Sequence, residues 1–237
     1  MQQLTIEQQN IRAKIYQKFA HNYPMMITMA LSTIILAIAE YAIWQDINFL
    51  LRVLSCLISS SFLTAFYFLF TRISRRVSKD ILENMIIFKS TRKPSTRILL
   101  KDDETFSKIK KHRIISKLKN EGCWELDMKI MNSNNKPYIN AINNATSHIL
   151  EVTRHDGILF ERNCNYGFAR NLFGGLFVAT LISVVIMIVL LCISNVYWQW
   201  YIYILIVEII ALLLIAFMAY REGVDYAIRL YDVYLEY

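Results

Sequence analysis

Four long apolar runs alternate with polar stretches along the chain. The first runs from Met25 to Trp44, the second over about 49–71, the third over about 172–194 and the fourth over about 201–220. A helix of about 20 apolar residues crosses the ~30 Å hydrocarbon core of a bilayer. The link Gln45–Asn48 is so short that the second run must return antiparallel to the first. Ser194–Trp200 (SNVYWQW) joins the third and fourth in the same way, and its Tyr and Trp suit a membrane interface. The pattern predicts an all-α integral membrane protein. Its four transmembrane helices form two helical hairpins, with a mostly helical cytoplasmic layer.

The polar stretches complete a five-part plan. Residues 1–23 read as an amphipathic N-terminal helix, with Leu4, Ile11, Ile15 and Phe19 at helical spacing. It would lie on the membrane surface or pack on the cytoplasmic layer. Pro24 suits the first turn of the next helix. Residues 24–71 make the first hairpin, 72–171 a basic cytoplasmic domain, 172–220 the second hairpin and 221–237 a C-terminal helix. Within 72–171, Asp80–Ser90 extends the second span, and Lys93-Pro94-Ser95 marks a turn. Thr105–Asn120 reads as a basic amphipathic helix with Phe106, Ile109, Ile114 (or Arg113) and Leu118 on its apolar side. Gly122–Ile130 fits either a short strand or a helix. Tyr138–Phe160 reads as one further helix, which would place His148 and His155 on a shared face. In the tail, Tyr220, Val224, Ala227, Tyr231 and Tyr234 form a seam that needs a partner, either this layer or a second subunit.

Charge placement orients the plan. The segment 72–170 holds 20 of the 26 Lys and Arg but 11 of the 19 acids. Thr71–Lys79 (TRISRRVSK) is strongly basic, and Arg12, Lys14, Lys18, Arg162, Arg170, Arg221 and Arg229 flank the same side of the four runs. The positive-inside rule puts both termini and the middle segment in the cytoplasm, and the protein in a plasma (inner) membrane as a multi-pass chain. Residues 1–23 precede the first run without the layout of a cleavable signal. Only 6 Gly and 3 Pro interrupt the chain, which favours helix. The 4 Cys have neither a CxxC nor a regular spacing, so a disulfide framework or zinc site is not expected. No cofactor is expected.

One residue in the spans carries unusual chemistry. Glu208 sits near the middle of the fourth run, where a carboxylate costs at least ~2.5 kcal/mol. It belongs against protein or water, as an ion or gating site, or as a hydrogen bond to a neighbouring Ser or Thr that pins the bundle. Glu40 and Arg52 lie at similar depth on either side of the first link and form a candidate structural ion pair. The serines of the second run, Ser55 and Ser59 on one face, fit a pore lining or close helix packing.

Arg154–Gly175 carries basic, amide and aromatic residues to the edge of the third run. Arg154, Arg162, Asn163, Tyr166, Arg170 and Asn171 form a candidate collar coupling the cytoplasmic layer to the membrane layer. A plain interfacial anchor is the alternative. Gly167 would admit a close neighbour, and Gly175 with Ala179 makes a small-xxx-small pair. Lys108, Lys110, Lys111, Arg113, Lys117 and Lys119 form a basic surface suited to anionic lipid, a phosphorylated ligand or a solvated face. Nucleic acid lacks a recognised motif here. The four His have no ligand-spaced Cys or carboxylate.

No phosphate loop, nucleophile elbow, kinase set or HExxH occurs, so an enzyme is not expected. The expectation is an oligomeric membrane effector or channel-like protein, of a kind that would fit bacterial stress or antiviral defence. Its cytoplasmic layer senses a signal or partner (a protein or a small signalling ligand) and gates or disrupts the membrane. The alternative is a membrane-anchored platform that recruits a cytoplasmic protein or nucleic acid.

Overall fold

The computed structural model describes residues 5–43, 69–87, 94–100, 103–122, 136–192 and 198–237. Among these residues the chain is almost entirely helical and has no strand. In order the helices are α1 (Ile6–Tyr16), α2 (Tyr23–Ile43), α3 (69–77), α4 (Pro94–Ile98), α5 (Lys108–Asn120), α6 (Lys136–Val152), α7 (Gly157–Cys192) and α8 (Trp198–Glu236). A π-helical turn, Gln17–Asn22, joins α1 to α2, and a second, Ser78–Ile87, continues α3. Three continuous helices are long and apolar enough to cross a membrane: Ile6–Ala39, Gly157–Cys192 and Trp198–Glu236. They cover most of the first and third predicted spans and all of the fourth. The second span, the short strand or helix at Gly122–Ile130 and the partner Arg52 lie wholly or mostly outside the described residues.

By its contacts the chain divides into two compact units. A polar unit gathers Met1–Lys14, Glu83–Tyr166 and Tyr220–Tyr237. A membrane unit gathers Ile15–Leu82 and Gly167–Ala219.

The polar unit closes around one apolar core. From the tail of α8 come Ala227, Leu230, Tyr231 and Tyr234, spaced as one helical face. From α6 come Ala141, Ile142, Ala145 and Ile149, and from α5 come Ile114, Ile115 and Leu118. Burying each large apolar side chain contributes roughly 1.5–3 kcal/mol. The tail seam therefore packs on its own layer. Two of its phenols need partners inside this core. The Tyr231 hydroxyl donates to the Ser95 carbonyl, and the Tyr234 hydroxyl to Glu121 Oε2 at 2.7 Å.

Two helices differ from the sequence reading. In α5 the buried face is Lys111, Ile114, Ile115 and Leu118, whereas Ile109 is 76% exposed. Lys111 is thus not part of the basic surface. Its ammonium is carried inward to the carbonyls of Leu100 and Asp103, which replace its water. Ser107 caps the helix by accepting from the Lys110 N–H, and Gly122, at φ 94°, ends it in the left-handed conformation that favours glycine.

The single helix expected over Tyr138–Phe160 is two. α6 stops at Val152, and α7 restarts at Gly157 because Asp156 Oδ1 accepts from the Leu159 N–H at 2.6 Å. His148 and His155 therefore share no helical face. His148 instead meets Glu121 at 2.9 Å. The Asp156-Gly157 dipeptide is the turn signal that marks this break.

In the membrane unit, α7 packs through glycines. A Cβ on Gly174 would lie 2.2 Å from the Ser74 carbonyl oxygen, and one on Gly175 would lie 2.4 Å from Thr28 Oγ1. Hydrogen in place of a side chain lets these backbones approach. Ile35 and Ala39 of α2, Leu190 of α7 and Tyr201 of α8 form a buried cluster, with the Tyr201 hydroxyl donating to the Ile35 carbonyl at 2.8 Å.

Candidate functional site

The most unusual chemistry in the membrane unit lies between α7 and α8. Glu208 is 3% exposed although the helix around it is apolar. It lies two turns beyond the fully buried Tyr201, so the same face of α8 carries both. Ser183 of α7 is also buried, and its hydroxyl reaches Glu208 Oε1 at 3.0 Å. The Ala179 carbonyl, at 3.2 Å, shares the single Ser183 proton with the carboxylate. Thr180, one turn earlier, adds a second hydroxyl near the carboxyl, lying 3.0 Å from the Leu176 carbonyl as well. Glu208 Oε2 is buried and has no hydrogen-bond partner among the described residues. A half-satisfied carboxyl in an apolar bundle is costly. Chemically it offers one oxygen to a proton, a cation or a water.

The sequence pointed to Glu208 and to a Ser or Thr as a partner. Ser183 was not singled out, because only packing sets which hydroxyl of α7 faces α8.

The polar edge of the membrane unit has its own contact. Asn171 is 1% exposed, and its amide nitrogen donates to the Ala20 carbonyl and to His21 Nδ1, the latter at 2.8 Å. A donor at Nδ1 leaves the ring proton on Nε2, so this imidazole is neutral. Pro24 has no N–H and so cannot donate to the Ala20 carbonyl one turn back. The sequence reading used Pro24 only as a helix start and so missed this link. Gly167 packs here as well, since a Cβ would lie 2.8 Å from that of Ala20.

The other collar residues are placed differently. Arg170 is half-buried and belongs with Asn171 to the membrane unit. Arg154, Arg162, Asn163 and Tyr166 belong to the polar unit. There the peptide carbonyl of Arg154 accepts from Arg12 Nη1 at 2.9 Å, and that of His155 from Arg12 Nη2 at 3.0 Å. The Arg12 guanidinium also covers the Phe160 ring, 5.3 Å from its centre. α1 is thereby held on the polar unit, the second of the two places the sequence offered it. Arg162 lies 3.9 Å from Asp225, and Tyr166 stacks on Tyr226 with ring centres 6.5 Å apart. Asn163 is half-buried.

Of the basic side of α5, Lys108, Arg113 and Lys119 remain exposed. Lys110 pairs with Asp232, and Lys117 donates to the Tyr234 carbonyl at 2.7 Å. Among the described residues no cluster of His, Cys, Asp and Glu is arranged to hold a metal ion. Glu40 lies in α2. The chain matches no protein-family model, no curated protein and no solved structure.

Proposed function

We propose that this chain is a multi-pass membrane protein with four spans and both termini in the cytoplasm. In this reading it assembles as an oligomer in the inner membrane and acts as a channel-like effector. The observation that carries the reading is Glu208, buried in an apolar helix with one carboxyl oxygen unsatisfied among the described residues. A carboxyl retained at such cost marks a pathway for protons or cations more often than a scaffold position. The apolar surface of α8 supports assembly or lipid contact. Only 17% of its most apolar window is buried within the chain, and Leu213, Leu214 and Phe217 are each at least 60% exposed. The polar unit would receive the signal or partner that opens the path.

The test is ion leak from liposomes reconstituted with the purified protein, beside Glu208→Gln. The variant is nearly isosteric and can still accept from Ser183. The expected result is a leak in the parent that falls at least about tenfold in the variant, a barrier change of ~1.4 kcal/mol. Equal leak in the two proteins removes Glu208 from the path. A membrane-anchored platform is the second reading, favoured by the exposed cations Lys108, Arg113 and Lys119 on one helix. Charge reversal at these three positions would disable the platform and leave the leak intact.

A further inference from the structure

The polar unit contains a cleft between the start of α5 and the end of α8. Its volume is about 460 Å³, within the ~300–1,000 Å³ range of small-molecule sites. Three cations line it: Lys110 and Arg113 from α5 and Arg229 from α8. Two acids, Asp232 and Glu236, share the lining. The acids do not use up the cations. Asp232 is taken by Lys110. Glu236 meets Arg229 at 3.7 Å, and Asp156 meets the same guanidinium at 3.9 Å. Both distances exceed the ~2.7–2.9 Å of a charge-assisted hydrogen bond. Arg229 Nε is buried and donates to nothing among the described residues. Arg113 is exposed and makes no ion pair among them. The lining therefore has unspent donors on two helices and three cations to two acids, with Asp156 as a third acid near Arg229.

Its other wall is apolar. Ile109 is 76% exposed, and it lines the cleft with Leu235. The Lys110 ammonium stands 3.9 Å from the centre of the Phe106 ring, which holds that cation at the cleft rather than in solvent. A ligand matched to both walls has an anionic head and an apolar or planar body. The head should present several acceptor oxygens at once, because Arg113, Arg229 and Lys110 approach from two helices and a guanidinium favours paired acceptors.

We propose that this cleft binds a small organic phosphate, its phosphoryl group held by Arg113, Arg229 and Lys110 and its body lying on Ile109 and Leu235. The site belongs wholly to the polar unit, so the proposal stands apart from whether the membrane unit conducts.

The experiment uses the full chain in phosphatidylcholine nanodiscs and calorimetric titration with inorganic phosphate, AMP and adenosine. AMP is expected to bind with Kd of about 1 mM or tighter. Inorganic phosphate should bind more weakly and compete with it, and adenosine should give no heat. Arg113→Gln, an exposed position whose change leaves the core untouched, should weaken AMP and phosphate by about tenfold, with Arg113→Lys recovering part of the loss. Ile109→Ser should weaken AMP and leave phosphate unchanged. Nanodiscs doped with phosphatidic acid distinguish the source of the phosphoryl group. Loss of AMP binding there, restored by Arg113→Gln to the undoped variant's level, assigns the cleft to a lipid phosphomonoester. Unchanged AMP binding assigns it to a soluble one. Absence of heat with both AMP and phosphate at about 10 mM overturns the proposal, as does AMP affinity equal in the parent and Arg113→Gln.

Discussion

Glu121 shows how single side chains hold the polar unit and how pH would release them. Its Oε2 accepts from the Tyr234 hydroxyl at 2.7 Å and lies 2.9 Å from His148 Nε2. Burial works to raise this carboxyl. The hydrogen bonds from Tyr234 and His148 and the charge of Lys117 outweigh it and hold Glu121 below the usual carboxylate range. A group whose folded value is depressed contributes stability above its unfolded value, about 4.3, and loses it as pH falls through the folded value. The expected outcome is that the melting temperature of the parent, followed from pH 6 down to about pH 3.5, falls more steeply than that of Glu121→Gln. Parallel profiles would mean that Glu121 contributes no pH-dependent stability. At this scale the sequence was legible where cost announces itself, as at Glu208, whose charge in an apolar run needs an explanation. It was opaque where the partner is chosen by packing. Lys111 looked like one more surface cation, and only the carbonyls of Leu100 and Asp103 make its burial tolerable.

Helices were legible from their apolar spacing, and their ends were less so. The seam of α8, with Ala227, Tyr231 and Tyr234, was readable because every fourth or third residue repeats the same demand. The stop after Val152 was not, because α6 and α7 both carry helical spacing and only the Asp156 cap separates them. α7 holds a further element-scale feature in Gly174, whose missing Cβ leaves room for a backbone carbonyl. Backbone cannot swing aside as a lysine tip can, so Gly174→Ala should force α7 and α3 apart. The expected cost is about 1–3 kcal/mol, read as a lower thermal midpoint in detergent. Gly157→Ala is the matched control, since nothing lies within 4 Å of a Cβ there. Equal midpoints for the two variants would remove the close approach at Gly174.

At the scale of the molecule, the sequence suggested five consecutive parts, while the contacts gather residues from distant stretches. The polar unit draws on Met1–Lys14, Glu83–Tyr166 and Tyr220–Tyr237 together. Hydropathy separates polar from apolar stretches but does not say which polar stretches share a core. That information lies in the shapes of residues such as Tyr231, whose ring meets Phe106 edge-on at 5.8 Å. The cleft lined by Arg113 and Arg229 was unreadable for the same reason, since more than a hundred residues of chain separate its two walls.

α8 reverses the usual relation between hydrophobicity and tolerance to mutation. Its apolar half keeps few residues inside, Tyr201, Glu208 and Ala219 among them, while Leu213, Leu214 and Phe217 face outward. Its more polar end buries Ala227, Leu230, Tyr231, Val233 and Tyr234. A saturation library of this helix, scored by surviving folded protein, should accept almost any greasy residue at 213, 214 and 217. It should reject even Tyr231→Phe, which removes the buried hydrogen bond to the Ser95 carbonyl at about 1 kcal/mol. Over evolutionary time the stretch that most resembles every other membrane helix would drift freely. The tyrosines of the tail would carry the lineage's recognisable signature.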